Sequence, residues 1–171
     1  EVLLAQSPDV ELRLRMLEIQ AAAREGVSRL ELLLRAAEIG AGRPGHERDN
    51  ERYYRQALQT LAEPDERPVL ALEAMYRQDQ RWDDLLGLYT ELSQRGSDPG
   101  MRRRFMVCRA ELLELELHDL ARAAATYQQL LEVQGGDPDA LRALARLYEA
   151  SRSWDELLSI TRRQLALTEQ P

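Results

Sequence analysis

Lysine is missing from the 171 residues, and all 23 basic side chains are arginine. Against 30 carboxylates they leave a net charge of −7. An acidic chain lacks the clustered positive field on which sequence-independent nucleic-acid binding depends, so no nucleic acid is expected as a partner. Arg102, Arg103 and Arg104 form the only basic triplet. It reads as a solvated helix start, with a phosphate or acidic-partner contact as the alternative. A single cysteine, Cys108, excludes an internal disulfide. Set among Phe105, Met106 and Val107, it reads as a buried, inert thiol. No apolar run approaches the roughly 18 residues of a membrane span, so no membrane insertion is expected. No secretory signal stands at residue 1, and the chain opens on Glu1-Val2-Leu3-Leu4 without Met. It therefore reads as a fragment or a processed chain, with the cytoplasm the favoured compartment.

Aromatics make up 5% of the chain, and strand-like alternation is hard to find. Apolar residues reach 44% and charged residues 31%, the composition of a folded chain. Leu and Ala, both good helix formers, carry most of the apolar load. The excess of Arg, Leu and Ala points to a GC-rich, bacterial source.

Breakers and apolar periodicity divide the chain into about nine helices. Pro8-Asp9 opens the first, which runs to about residue 24. The second covers about 27–39 and stops at Gly40. Gly40 to Gly45, with Gly42 and Pro44, is the strongest breaker. The third covers about 47–62, the fourth 67–78, and the fifth runs from Trp82 to before Gly96. Ser97-Asp98-Pro99-Gly100 reads as a turn. The sixth covers about 101–117, and the seventh runs from about 120 to Val133, before Gly135-Gly136. The eighth, opened by Asp137-Pro138, runs to about Ala150, and the ninth covers about 154–167. Leu141, Leu144, Leu147 and Tyr148 line one face of the eighth, and Ala110, Leu113 and Leu117 part of the sixth. Short connections predict antiparallel hairpins.

Internal similarity is the decisive feature. Residues 71–86 read ALEAMYRQDQRWDDLL and residues 143–158 read ALARLYEASRSWDELL. Ala71/Ala143, Leu72/Leu144, Tyr76/Tyr148, Trp82/Trp154, Asp83/Asp155, Leu85/Leu157 and Leu86/Leu158 match at one offset, 72 residues (154 − 82). Tyr54 falls over Tyr127 at an offset one residue longer. The clearest double repeat is 28–95 and 103–168, so the unit is two hairpins of about 36 residues each. One such hairpin cannot bury its apolar face alone, and stacking copies makes a shared core. Trp82 and Trp154, each just after a turn, are expected in that core beside the Tyr of the preceding helix.

These residues resemble the tetratricopeptide-repeat family, in the elongated form of long bacterial repeat proteins. Leu141, Leu144-Ala145 and Tyr148 match the pattern of a first helix. Arg152-Ser153-Trp154 matches the turn and its following aromatic. Ala123, Tyr127 and Leu130 match a second helix. The resemblance covers about Ser28 to Leu167 and departs in the Gly40–Gly45 loop and the overlong sixth helix. It implies an all-α fold: a right-handed α-solenoid of antiparallel helical hairpins, one domain over 1–171, cut from a longer array.

Motifs for chemistry are scarce. His46 and His118 stand 72 residues apart (118 − 46), the repeat offset, so they should not meet at one metal. Neither paired-Cys spacing nor His-Glu-x-x-His occurs, so no metal site is expected. The Gly40–Gly45 segment follows a helix and lacks the Lys of a phosphate loop, so no cofactor is expected. Asp83-Asp84 and Asp155-Glu156 sit at helix starts, where negative charge suits the dipole better than it suggests acid–base catalysis. The chain is read as a non-enzyme. The resemblance implies instead a protein or peptide partner held on the concave face of the first helices. Its candidate contacts are Arg67, Leu70, Arg77, Arg104, Glu111, Glu114, Arg142, Arg146 and Glu149. Two readings stand beside this one: a part that self-associates in a larger assembly, and a regulatory arm of a larger enzyme.

Overall fold

A computed structural model describes residues 8–43, 45–95 and 98–168. Among them are nine α-helices and no strand. They are α1 Pro8–Ala22, α2 Gly26–Gly40, α3 Glu47–Leu58, α4 Glu66–Gln78 and α5 Trp82–Arg95. The order continues with α6 Pro99–Leu115, α7 Leu120–Gln134, α8 Pro138–Ala150 and α9 Trp154–Thr168. The helices that periodicity predicts are therefore present. Pro44, Gly96 and Ser97, on which two of the predicted breaks partly rest, lie outside the described residues.

Aspartates start four of these helices. Asp65, Asp98, Asp119 and Asp137 each accept a hydrogen bond from a backbone N–H in the first turn. A carboxylate there satisfies an orphan donor and meets the positive end of the helix dipole. Pro99 and Pro138 follow their caps at the position where a missing N–H costs nothing. Of the expected turn at 97–100, Asp98 is the cap of α6 and Pro99 and Gly100 lie in its first turn. The third helix ends four residues earlier than periodicity suggests, at Leu58 and not Ala62. Gln59 and Thr60 donate their backbone N–H groups to Gln56 and Ala57, three residues back, closing a tighter turn before Pro64.

The turns that end α4 and α8 are copies. Gln80 and Arg152, 72 residues apart (152 − 80), both take left-handed backbone, with φ of 55° and 58°. The next N–H reaches back over the helix end: Arg81 to the Tyr76 carbonyl and Ser153 to the Tyr148 carbonyl, each at 2.8 Å. This closure satisfies carbonyls that a helix end leaves open and turns the chain sharply.

The described residues fall into two compact units, 1–81 and 82–171. In the first, α1 packs on α2, α2 on α3 and α3 on α4. Its core holds Leu14, Ala21, Leu30, Leu33, Leu34, Ala36, Ala37, Tyr53 and Ala57. In the second, α5 packs on α6, α6 on α7, α7 on α8 and α8 on α9. That core holds Met106, Ala110, Leu113, Ala123, Tyr127, Leu130, Leu131, Leu141, Leu144, Leu147, Tyr148 and Ile160. The apolar face predicted for α8 is buried in full.

Four side chains depart from expectation. Trp154 is 60% exposed and Trp82 half-buried, so the matched tryptophans are not equivalent core residues. Trp154 stands on α9, whose packed neighbour among the described residues is α8. Cys108 is half-buried and not enclosed. Within the arginine triplet, Arg103 is not a solvated helix-start charge; it is drawn into an ion pair with the buried Asp137.

Candidate functional site

Each unit has a groove, and the two share a second-helix tyrosine and a first-helix alanine while the rest of their linings differ. In the second unit a groove of about 390 Å³ runs between α6 and α8. Its walls are Val107 and Glu111 from α6 and Asp139, Arg142, Ala143 and Arg146 from α8. Tyr127, from the intervening α7, forms its floor. In the first unit a groove of about 460 Å³ lies against α4, with Ala71, Met75, Gln78 and Asp79 on that side. Ala41, Gly42, Arg43, Glu47 and Asn50 line the other side, and Tyr54 of α3 contributes the aromatic ring. Tyr54/Tyr127 and Ala71/Ala143 are pairs that the internal repeat places in register. Each groove therefore joins a tyrosine from a second helix to a small residue on a first helix. The small residue lets a chain approach the helix closely, and the ring offers an apolar surface with a polar tip.

Electrostatics sets these tyrosines apart from the solvent. Burial, and then the nearby carboxylates Glu111 and Glu114, push the Tyr127 phenol up to about 12. Burial and Glu38 raise Tyr54. Both stay neutral across the physiological range, as hydrogen-bonding groups and not as bases.

Most of the charge along the first helices is internally balanced. In the second unit Arg103 of α6 binds Asp137 and, at 2.8 Å, Asp139 of the α8 start. Arg146 of α8 reaches back to Glu114 of α6 through two contacts, 2.7 Å and 3.0 Å. Arg142 pairs with Asp139 within α8. In the first unit Arg67 of α4 binds Glu31 of α2 at 2.8 Å and Asp65 at 3.0 Å. Glu31 and Arg67 correspond at the 72-residue offset to Arg103 and Asp139. The same rung thus joins consecutive first helices in both units, with its polarity reversed. Burial would raise the Asp137 carboxyl, but Arg103 and the N–H groups of Asp139 and Ala140 outweigh it and hold it below its ordinary range.

The nine sequence-predicted contacts fall on both units. Arg67, Leu70 and Arg77 lie exposed on α4, Leu70 as an apolar side chain 52% accessible. Arg77 pairs with Glu73 one turn back, at 3.5 Å. Arg104 is exposed at the start of α6, its guanidinium 5.5 Å above the Phe105 ring. Glu111, Arg142 and Arg146 come together as walls of the second groove. Glu114 is half-buried beside them, and Glu149 is exposed on the last turn of α8. Tyr127, Ala143, Tyr54 and Ala71 were absent from the predicted set. Their signal was present in the repeat alignment, but a tyrosine and an alanine in register read as core. Arg67, Arg142, Arg146 and Glu114 take part in the cross-helix and in-helix pairs that fix helix spacing.

Among the described residues no group of three or more His, Cys, Asp or Glu side chains could hold a metal. His46 is buried and caps α3, whereas His118 is exposed with φ of 52°, so the two histidines do not occupy equivalent turns. Among the described residues no helix is long and apolar enough to cross a membrane.

Comparison with known proteins matches two segments, 69–100 and 140–171, to the model of the tetratricopeptide repeat. They cover α4 with α5 and α8 with α9, the two hairpins whose similarity is plainest in the sequence. No curated protein matches the chain significantly. A solved structure entitled "MamA MSR-1 C2" aligns over 97% of this chain and 91% of that one, at 18% identity and a TM-score of 0.48.

Proposed function

From the two segments that match the tetratricopeptide repeat, 69–100 and 140–171, we propose that the chain is an interaction scaffold holding an extended peptide segment of a partner protein in its grooves. Repeats of this family are generally non-catalytic modules that bind proteins. The supporting observation is that a second-helix tyrosine and a first-helix alanine, matched in the internal repeat, line a groove in each unit. In the second groove Arg142 is paired with Asp139 and Arg146 with Glu114, so these arginines favour no strongly charged ligand. What remains for recognition is close backbone approach at Ala71 and Ala143, the phenol groups of Tyr54 and Tyr127, and the exposed Leu70. A peptide in extended conformation offers backbone donors and acceptors to such a surface without first having to fold.

Selection of peptides from a displayed random library on the chain tests this reading. Groove-filling variants Ala71→Leu and Ala143→Leu keep good helix formers while occupying the space a peptide needs. Selected peptides should bind the parent saturably and lose most of their affinity for the filled variant of their own groove. Peptides that bind both variants as well as the parent would place recognition elsewhere.

A further inference from the structure

The turns after α4 and α8 share a backbone but differ in what fills the space beside them. In the first unit Glu51, Arg55 and Arg81 close over Tyr76. The Arg81 guanidinium lies 4.8 Å from the centroid of the ring and that of Arg55 5.5 Å. Arg81 also donates to both carboxylate oxygens of Glu51, at 2.6 Å and 3.1 Å, and the Tyr76 hydroxyl donates to Glu51 at 2.8 Å. Under this cover Tyr76 has no exposure. The internal repeat sets Ala124, Gln128, Tyr148 and Ser153 at the positions of Glu51, Arg55, Tyr76 and Arg81 (124 − 51 and 128 − 55 give 73, 148 − 76 and 153 − 81 give 72). The tyrosine is kept, and its three charged neighbours become Ala, Gln and Ser. In the second unit a slot of about 480 Å³ opens there. Its walls include Ala121, Ala124 and Gln128 of α7, Tyr148 of α8, Ser153 of the turn and Glu156 of α9. Tyr148 is 8% exposed where Tyr76 is sealed. Gln128 donates to the Tyr148 hydroxyl, and Ser151 donates to Ser153 at 3.1 Å, so these polar groups beside the ring are neutral. The carboxylate among the walls is Glu156, which is exposed. Burial raises the Tyr148 phenol, the Gln128 hydrogen bond opposes this, and the field of Glu156 adds to it, so this carboxylate acts on the slot.

We propose that this slot binds an arginine side chain presented by a partner protein, in the place that the chain's own Arg81 takes in the first unit. Three features set the chemistry. A guanidinium is planar and stacks on the face of a tyrosine ring. Ala124 and Ser153 lack the atoms with which Glu51 and Arg81 fill the matching space. Glu156 supplies the opposite charge and the acceptor oxygens that Glu51 supplies in the first unit. The net charge of −7 favours a basic partner in the same sense. The slot shares no lining residue with either peptide groove, so either reading can fail without the other.

N-acetyl-arginine methylamide, whose only charge is its guanidinium, is the probe. It is titrated into the 171-residue chain at constant ionic strength and followed by NMR. Saturable shifts at the amides of Ala121, Ala124 and Ser153 are expected, and the norleucine analogue, with an uncharged stem, should give none. Glu156→Gln, at an exposed position, should weaken binding by about threefold. Ala124→Glu combined with Ser153→Arg rebuilds the pair of the first unit and should weaken it by about tenfold or more. If that double variant does not fold, Glu156→Gln decides alone. Absence of saturable shifts at the slot would overturn the proposal. So would equal shifts from the norleucine probe, or arginine binding that the folded variants leave intact. Self-association that the probe competes away and the double variant abolishes would assign the slot to an arginine of a second copy, and would overturn its assignment to another protein.

Discussion

Asp137 shows how much one side chain can hold in place. It caps α8 with hydrogen bonds from the N–H groups of Asp139 and Ala140, both at 3.0 Å, and it binds Arg103 across to α6. Asp137→Ala should cost about 1–2 kcal/mol for the cap, measured by urea unfolding, before any cost of the unpaired Arg103 is added. The tryptophans give the opposite lesson. Trp154→Ala should change stability by no more than about 0.5 kcal/mol, because the ring stands mostly in water. Leu144→Ala, at a site with no exposure, should cost about 2–5 kcal/mol in the same experiment. Similarity between residues 82 and 154 is visible in the sequence, but their burial is not. Burial depends on whether a further helix lies beyond, and no local pattern carries that information. Glu51 adds a pH dependence. It accepts from Arg81 at 2.6 Å and 3.1 Å and from the Tyr76 hydroxyl at 2.8 Å. The Arg81 hydrogen bonds, helped by Tyr76 and opposed by burial, hold its carboxyl below the ordinary value of 4.5. A depressed carboxyl stabilises the fold above that value, and the contribution disappears as pH falls through the folded-state pKa. Glu51→Gln should therefore lower stability at neutral pH and flatten the acid limb of the stability curve.

Helices meet through contacts that the repeat partly announces and partly conceals. Gly40, at the end of α2, is buried against Asn50 of α3. A Cβ at Gly40 would lie 2.1 Å from Asn50 Oδ1, so something must move. Gly40→Ala should cost about 1–3 kcal/mol, and Asn50→Ala in the same chain should recover much of it. In the sequence this glycine reads only as a breaker, because the close approach involves a residue on another helix. The rung between first helices was also concealed. Glu31–Arg67 and Arg103–Asp139 occupy matched positions with opposite charges, and a search for identity passes over a swap. Glu31→Arg and Arg67→Asp should each lower the melting temperature of the first unit. Together they recreate the arrangement of the second unit and should restore it. Additive losses in this double-mutant cycle would show that the rung carries no coupling. By contrast, helix starts, turn positions and the face of α8 were legible, since caps, breakers and apolar period are local.

At the scale of the whole chain, the repeat sets a tyrosine and an alanine at matched positions in each unit. Tyr54 with Ala71, and Tyr127 with Ala143, each line a groove of their own unit. Recognition by a peptide at these grooves is the central claim, and residue-resolved NMR with a library-selected peptide tests it most directly. Shifts should gather on Tyr127, Ala143 and Glu111, or on Tyr54, Ala71 and Met75, and saturate with the measured affinity. Shifts confined to α9, to α1 or to the outer sides of the second helices would contradict it.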